Sequence, residues 1–339
     1  MSPLGYDVST FGVALATTLA STPLVRRAAL KLGIVAQPGG RNAHTVTTAR
    51  CGGIAVYLGF AFALFVVMGM ALSSGARVWD RVVIRELVGL LFGGTVIFLI
   101  GIWDDAMDLP AKKKLLGQSA VAIVSMLYGF IIPGVSNPFA HNHWVAFPLW
   151  IGAPLTLFWY LGMMNAMNFI DGLDGLLPGI TSIAGICLFA IALVKGHALV
   201  ALLMAAMVGG SLGFLPYNFN PAKIFLGDSG SLFIGYVFAT VSIIGVSKLA
   251  ISISLIVPLI VLALPVFDTA AAILRRVRKG QHLFAADRGH IHHVLVFRYG
   301  MSVRQAVILL YAVCLVLGLT AFLISGGPQS LAHTHHVRL

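Results

Sequence analysis

The chain has 339 residues, of which 59% are apolar and 10% charged, whereas soluble globular proteins carry about a quarter charged residues. With a mean hydropathy of +0.96, those proportions exclude a soluble globular protein. The formal charge is +11, from 22 Lys and Arg against 11 acids, and Glu86 is the single glutamate. Cys51, Cys187 and Cys314 are too few and too scattered for a disulfide framework or a zinc site, and read as small apolar helix residues.

A membrane-spanning helix takes about 20 apolar residues. Runs of that kind fall at residues 8–25, 52–72, 87–103, 115–134, 145–164, 176–194, 198–216, 229–247, 249–273 and 303–325. No positive residue precedes the first run, and Arg26 and Arg27 follow it, the reverse of a cleavable signal peptide. The first run is therefore read as a retained helix. The joints at 195–197 and near Lys248 are short enough to demand tight antiparallel hairpins. Pro258 and Pro265 predict a kink or break in the ninth run that brings Asp268 toward the charged face. Gly89 with Gly93, and Gly209 with Gly213, suit close helix packing.

These runs predict an all-α polytopic membrane protein of about ten transmembrane helices. One integral-membrane domain covers residues 1–325, and a short tail covers 326–339. Sixteen of the 22 bases fall in the odd-numbered loops, so those loops are read as cytoplasmic and both termini as outside. Eight of the 11 acids lie on the same side. Carboxylates in hydrocarbon are costly, so acids gathered at helix ends on one face point to a site at the membrane surface. A transporter would place them near mid-membrane.

Four motifs make up that face. The first, DDAMDLPAKKKLLGQ, opens with Asp104 and Asp105. Adjacent carboxylates repel, so they persist together only when one is protonated or a cation is shared, and hydrated Mg²⁺ suits them. The alternative is a solvated helix end with Asp108 and Lys112 at i, i+4 spacing. The second, NAMNFIDGLDGL, carries Asn168, Asp171 and Asp174 with no basic partner, and its glycines let backbone approach a ligand closely. In the third, NPAKIFLGDSGS, Gly and Ser at a helix start offer free amides to a phosphate, unless Asp228 or Ser229 is simply an N-cap. The fourth, DRGHIHH, follows a basic run from Arg275 to Lys279. Anionic lipid accounts for such a run, but not for three histidines in four residues. Those histidines are read as phosphate contacts in preference to transition-metal ligands.

Taken together and in order, these motifs, with His44 and Arg50-Cys51-Gly52-Gly53, closely resemble the polyprenyl-phosphate N-acetylhexosamine-1-phosphate transferases. The His-Ile-His-His form looks like the WecA/TagO branch, whereas MraY-type sequences have three consecutive histidines. The resemblance implies a bacterial plasma-membrane enzyme with its active site in the cytoplasm. It would transfer N-acetylglucosamine 1-phosphate, or a related N-acetylhexosamine 1-phosphate, from a UDP-sugar to undecaprenyl phosphate and release UMP, using Mg²⁺ or Mn²⁺. This is the first membrane step of cell-envelope polysaccharide synthesis. It further implies Asp104 and Asp105 as the catalytic acids, with Asp105 the base. Metal would be held by Asp228, Asp171 and Asp105. The nucleotide sugar would meet Asn168, Asp171, Asp174, Asn218, His290, His292, His293 and Arg276, with Phe225 stacking on uracil. The lipid phosphate would meet Lys114, Arg50 and His44. Membrane lipids surround the chain, nucleic acid is not an expected partner, and a homodimer is left open.

The chain departs from relatives at Thr47-Thr48-Ala49, at Leu177-Pro178 and at Phe284-Ala285-Ala286, where prolines or a small residue are usual, but no motif acid or histidine is lost. Phosphoryl transfer depends on positioning and charge neutralisation, so a single in-line displacement is expected over an aspartyl-phosphate route. The competing readings are an MraY-like phospho-MurNAc-pentapeptide transferase, a CDP-alcohol phosphotransferase, whose Asp-Gly-x-x-Ala-Arg signature is absent, and a non-enzymatic transporter.

Overall fold

The computed structural model describes residues 3–36, 47–73, 80–136, 144–248, 256–280 and 289–325. Helix α1 (Pro3–Leu32) leads through the antiparallel pair β1 (Val35–Ala36) and β2 (Thr48–Ala49) into α2 (Gly53–Ser73). Helices α3 (Arg81–Met107) and α4 (Ala111–Leu127) follow, then a second antiparallel pair, β3 (Gly134–Ser136) and β4 (Trp144–Ala146). Next come α5 (Leu149–Ile170), α6 (Leu176–Lys195), α7 (Ala198–Asn218) and α8 (Gly227–Lys248). The chain continues as α9 (Ile256–Val261), α10 (Ala263–Arg278), the single turn α11 (Ile291–His293) with a π turn over Val294–Arg298, and α12 (Val303–Ile324).

Helices stand at all ten expected positions, and among the described residues seven are long and apolar enough to cross a membrane: α1, α2, α3, α6, α7, α8 and α12. α7 and α8 are largely buried, with α7 against α1 and α6 and α8 between α3 and α5, while α1 and α12 expose most of their surface. The ninth apolar run is broken at Leu262 into α9 and α10, as its prolines predict. Gly196, with φ of 72°, closes the expected α6–α7 hairpin, whereas residues 249–255 of the second short joint lie outside the described set.

Three helices extend beyond their apolar runs. α1 runs on through Pro23, Arg26, Arg27 and Lys31, so those bases belong to a helix and not to a loop. α3 carries Asp104 and Asp105 in its last turn, and α5 continues through Asn165 and Asn168. Backbone hydrogen bonding does not depend on side-chain polarity, so a helix that satisfies its amides in hydrocarbon can continue into the polar boundary.

The expected glycine packing is present. Side chains at Gly209 or Gly213 would run into the α1 backbone, and at Gly89 or Gly93 into Tyr128 and Tyr236. Two further glycines fix the start of α8. A methyl group at Gly101 of α3 would meet Ser229 Cα at 2.5 Å, and one at Gly53 of α2 would overlap Gly230. The amino end of α8 is thereby pinned between two helices.

Candidate active site

The adjacent carboxylates of α3 point apart. Asp105 lies under the start of α8, where its oxygens accept the amides of Asp228 at 2.8 Å and Ser229 at 3.1 Å. Asp104 accepts the Leu109 amide at 2.7 Å and forms an ion pair with Lys114. Lys114 also pairs with Asp228, whose other oxygen accepts Asn168 Nδ2 at 2.6 Å. In the structure each of the two acids has its own partners. The α8 amides offered to a phosphate by sequence are already taken by Asp105. Asp108 is the left-handed C-cap of α3, so helical i, i+4 pairing with Lys112 does not arise; it meets Arg50 Nη1 at 3.1 Å instead.

Asp171 ends α5 as its C-cap. Among the described residues its carboxylate has no hydrogen bond or ion pair. Burial, followed by the charges of Asp228, Asp105 and Asp174, pushes its pKa well above the ordinary carboxylate range. Asp174, by contrast, accepts Asn220 Nδ2 at 2.9 Å and the Ala222 amide at 3.0 Å. Asn218 accepts the Gly175 amide at 3.0 Å and donates to the Ile224 carbonyl at 2.9 Å. Both residues tie the Asp171–Gly175 loop to the segment that carries Phe225. That segment also runs beside β2, with the Phe225 amide on the Ala49 carbonyl at 2.8 Å and the Gly52 amide on the Phe225 carbonyl at 2.9 Å.

These elements enclose a cavity of about 690 Å³. Of the residues singled out by sequence, Asp105, Asn168, Asp171, Asp174, Asn218, Phe225, Asp228, His293 and Arg50 line it. Asp104 and Lys114 sit beside it through their contacts with α8. His290 and His292 are buried behind the wall, so one histidine of the three reaches the cavity. His292 is 1% exposed and packs its Nε2 against Gly172, so this glycine admits a histidine and not only a ligand. Burial, then the neighbouring His293, lowers the His292 pKa to about 3, which keeps the ring neutral. Arg276 is also buried, its guanidinium 5.7 Å from the Phe169 ring centre, and it does not line the cavity. His44, Asp287 and Arg288 lie outside the described residues.

The sequence reading missed Arg26 and Lys223 on the cavity wall, where Arg26 Nε donates to the Lys223 carbonyl at 2.9 Å. Their membership was hidden because α1 is longer than its apolar run and brings Arg26 alongside residue 223.

Among the described residues no three His, Cys, Asp or Glu side chains close on one point as a complete metal cage. The donor set nonetheless fits Mg²⁺, which is commonly bound by one or two carboxylates together with water and substrate phosphate. Asp171 and Asp228 both line the cavity with carboxylate oxygens, and Asp171 makes no ion pair among the described residues.

Comparison with known proteins matches residues 87–246 to the family described as glycosyl transferase family 4. A Bacillus subtilis protein named probable undecaprenyl-phosphate N-acetylglucosaminyl 1-phosphate transferase is 39% identical over 94% of this chain and 84% of its own. The chain belongs to the polyprenyl-phosphate N-acetylhexosamine-1-phosphate transferase family. A Mycobacterium tuberculosis relative, decaprenyl-phosphate N-acetylglucosaminephosphotransferase, is 35% identical over 91% of this chain and 79% of its own. The Escherichia coli undecaprenyl-phosphate alpha-N-acetylglucosaminyl 1-phosphate transferase is 32% identical over 84% of this chain and 75% of its own. The transferase family match covers α3 through most of α8, the stretch that holds Asp105, Asn168, Asp171, Asp174 and Asp228.

Proposed function

We propose that this transferase moves N-acetylglucosamine 1-phosphate from UDP-N-acetylglucosamine to undecaprenyl phosphate, releasing UMP, on the cytoplasmic face of a bacterial plasma membrane. The observation that carries the reading is the convergence of Asp105, Asn168, Asp171, Phe225, Asp228 and His293, from four separate stretches of chain, on one cavity. The names of the relatives in Bacillus subtilis and Escherichia coli support both the sugar and the lipid carrier.

Asp171 and Asp228 would hold Mg²⁺ with the donor diphosphate. When bound, that ion supplies charge neutralisation at the phosphorus under attack. Phe225 offers a ring for uracil, and Asn168 fixes the Asp228 carboxylate. Arg50, on the cavity wall, meets the acceptor phosphate. A phosphate monoester has its second pKa near about 6, so the acceptor is largely dianionic at neutral pH and needs little deprotonation. Asp105 keeps a lone pair on each oxygen beyond its amide bonds and takes the residual proton. The displacement is single and in line, the lipid phosphate oxygen bonding to the β-phosphorus as the bond to UMP breaks. Counted over the ten apolar runs of the sequence, the positive-inside rule supports both termini outside and this cavity in the cytoplasm.

The test incubates the purified chain with undecaprenyl phosphate and a panel of UDP-sugars and measures UMP. Mg²⁺-dependent release with UDP-N-acetylglucosamine is expected. Turnover restricted to the muramoyl-pentapeptide donor would move the chain to the MraY branch. Retention of configuration at a chiral phosphorus would overturn the single displacement.

A further inference from the structure

Asp268 is an acid that the transfer reading leaves without a task. It is 8% exposed, sits just past the break that separates α9 from α10, and uses both carboxylate oxygens. Oδ2 lies 2.8 Å from His290 Nδ1, and Oδ1 accepts the Ile291 amide at 2.9 Å. An ionised carboxylate only accepts, so Nδ1 carries the proton and the His290 ring is held in one orientation.

From His290 the rings continue in series toward the cavity. His290 stands 5.7 Å from Phe169 and 5.7 Å from His292, lying nearly parallel to the latter. His292 and His293 are 4.3 Å apart, and His293 is on the cavity wall. Gly172 backs His292, so the series leans on the Asp171–Gly175 loop. Arg276, on the same face of α10 two turns later, lies against Phe169. Helix α10 thus grips both the histidine turn and the residue next to Asn168.

We infer that Asp268 is a positioning residue for the donor side of the cavity, fixing His290 and through it the placement of His293 against the Asp171–Gly175 loop. The inference rests on the transferase reading of the site. Arg50, on the acceptor side, belongs to the segment joining β2 to α2 and has no part in this series. Loss of Asp268 should therefore weaken donor recognition and spare the acceptor.

The test uses the full chain in nanodiscs and varies UDP-N-acetylglucosamine and undecaprenyl phosphate separately. In Asp268→Asn the donor KM should rise about tenfold or more, with a smaller fall in kcat and an unchanged acceptor KM. The double variant Asp268→Asn with His290→Gln should be no worse than the more damaging single variant. In parallel, ¹⁵N-histidine spectra should place the proton on Nδ1 of His290 in the parent chain and lose that signal in Asp268→Asn. Equal changes in both KM values, a fall in kcat alone that tracks a lower Tm, or additive effects in the double variant would overturn the inference. If the parent chain turns over no UDP-sugar, the failure lies with the transferase reading. The nitrogen spectra then decide: loss of the Nδ1 proton in Asp268→Asn upholds the inference, and an unchanged spectrum overturns it.

Discussion

Asp171 faces the cavity with Asp228, Asp105 and Asp174 acting on it and makes no ion pair among the described residues, so its charge is unfavourable until a ligand arrives. Its raised pKa means that the folded chain holds a proton the unfolded chain releases. Stability of the ligand-free protein should therefore fall as pH rises through that pKa. Asp171→Asn removes the repulsion, raises Tm by about 2 °C for about 1 kcal/mol gained, and flattens that pH dependence. UMP release should fall by about a hundredfold or more, and Mg²⁺ should no longer shift Tm. A variant that is inactive but no more stable than its parent would refute the account. His292 gives the opposite slope. Its folded pKa of about 3 lies below the unfolded value, so stability is lost as pH falls below 6.5. At pH 5 the cost is about 2 kcal/mol, and thermal melts at pH 7 and pH 5 should differ less in His292→Phe than in the parent chain.

At the scale of elements, the site depends on where α8 begins. Gly53 and Gly101 let two helices close on its first turn, and Asp105 then receives its amides. Gly101→Ala puts a methyl group against Ser229, which should cost about 1–3 kcal/mol by overpacking and lower activity further by moving Asp228. Unchanged activity and Tm would show that the helices can part without consequence. The apolar helices were legible because hydrocarbon demands long apolar runs, and the α9–α10 break because proline removes a backbone donor. The helix ends were not, since α3 and α5 carry polar residues in their last turns. The two short strand pairs escaped notice because two or three residues show no alternation. The site acids were legible as residue types, but their partners were not. Asp105 with Ser229, Asp108 with Arg50 and Asp268 with His290 join stretches far apart in sequence, and periodicity speaks only of local faces.

Across the whole molecule, the carboxylates and bases of the cavity belong to a body that exposes many large apolar side chains, an arrangement that suits anionic substrates meeting at a membrane face. The sequence excess of Lys and Arg on the side of the cavity predicts that this face is cytoplasmic, and labelling tests it. Because the native thiols of Cys51, Cys187 and Cys314 are all buried, they form a silent background for labelling. A single cysteine placed at exposed Lys113, just after the α3–α4 joint, should react with a membrane-impermeant maleimide only once cells are opened. One placed at exposed Arg81, at the start of α3, should react in intact cells. The reverse pattern would turn the molecule over and put the cavity outside, away from cytoplasmic UDP-sugars. Labelling of both positions in intact cells would place residues 81 and 113 on the same side, contrary to a spanning α3.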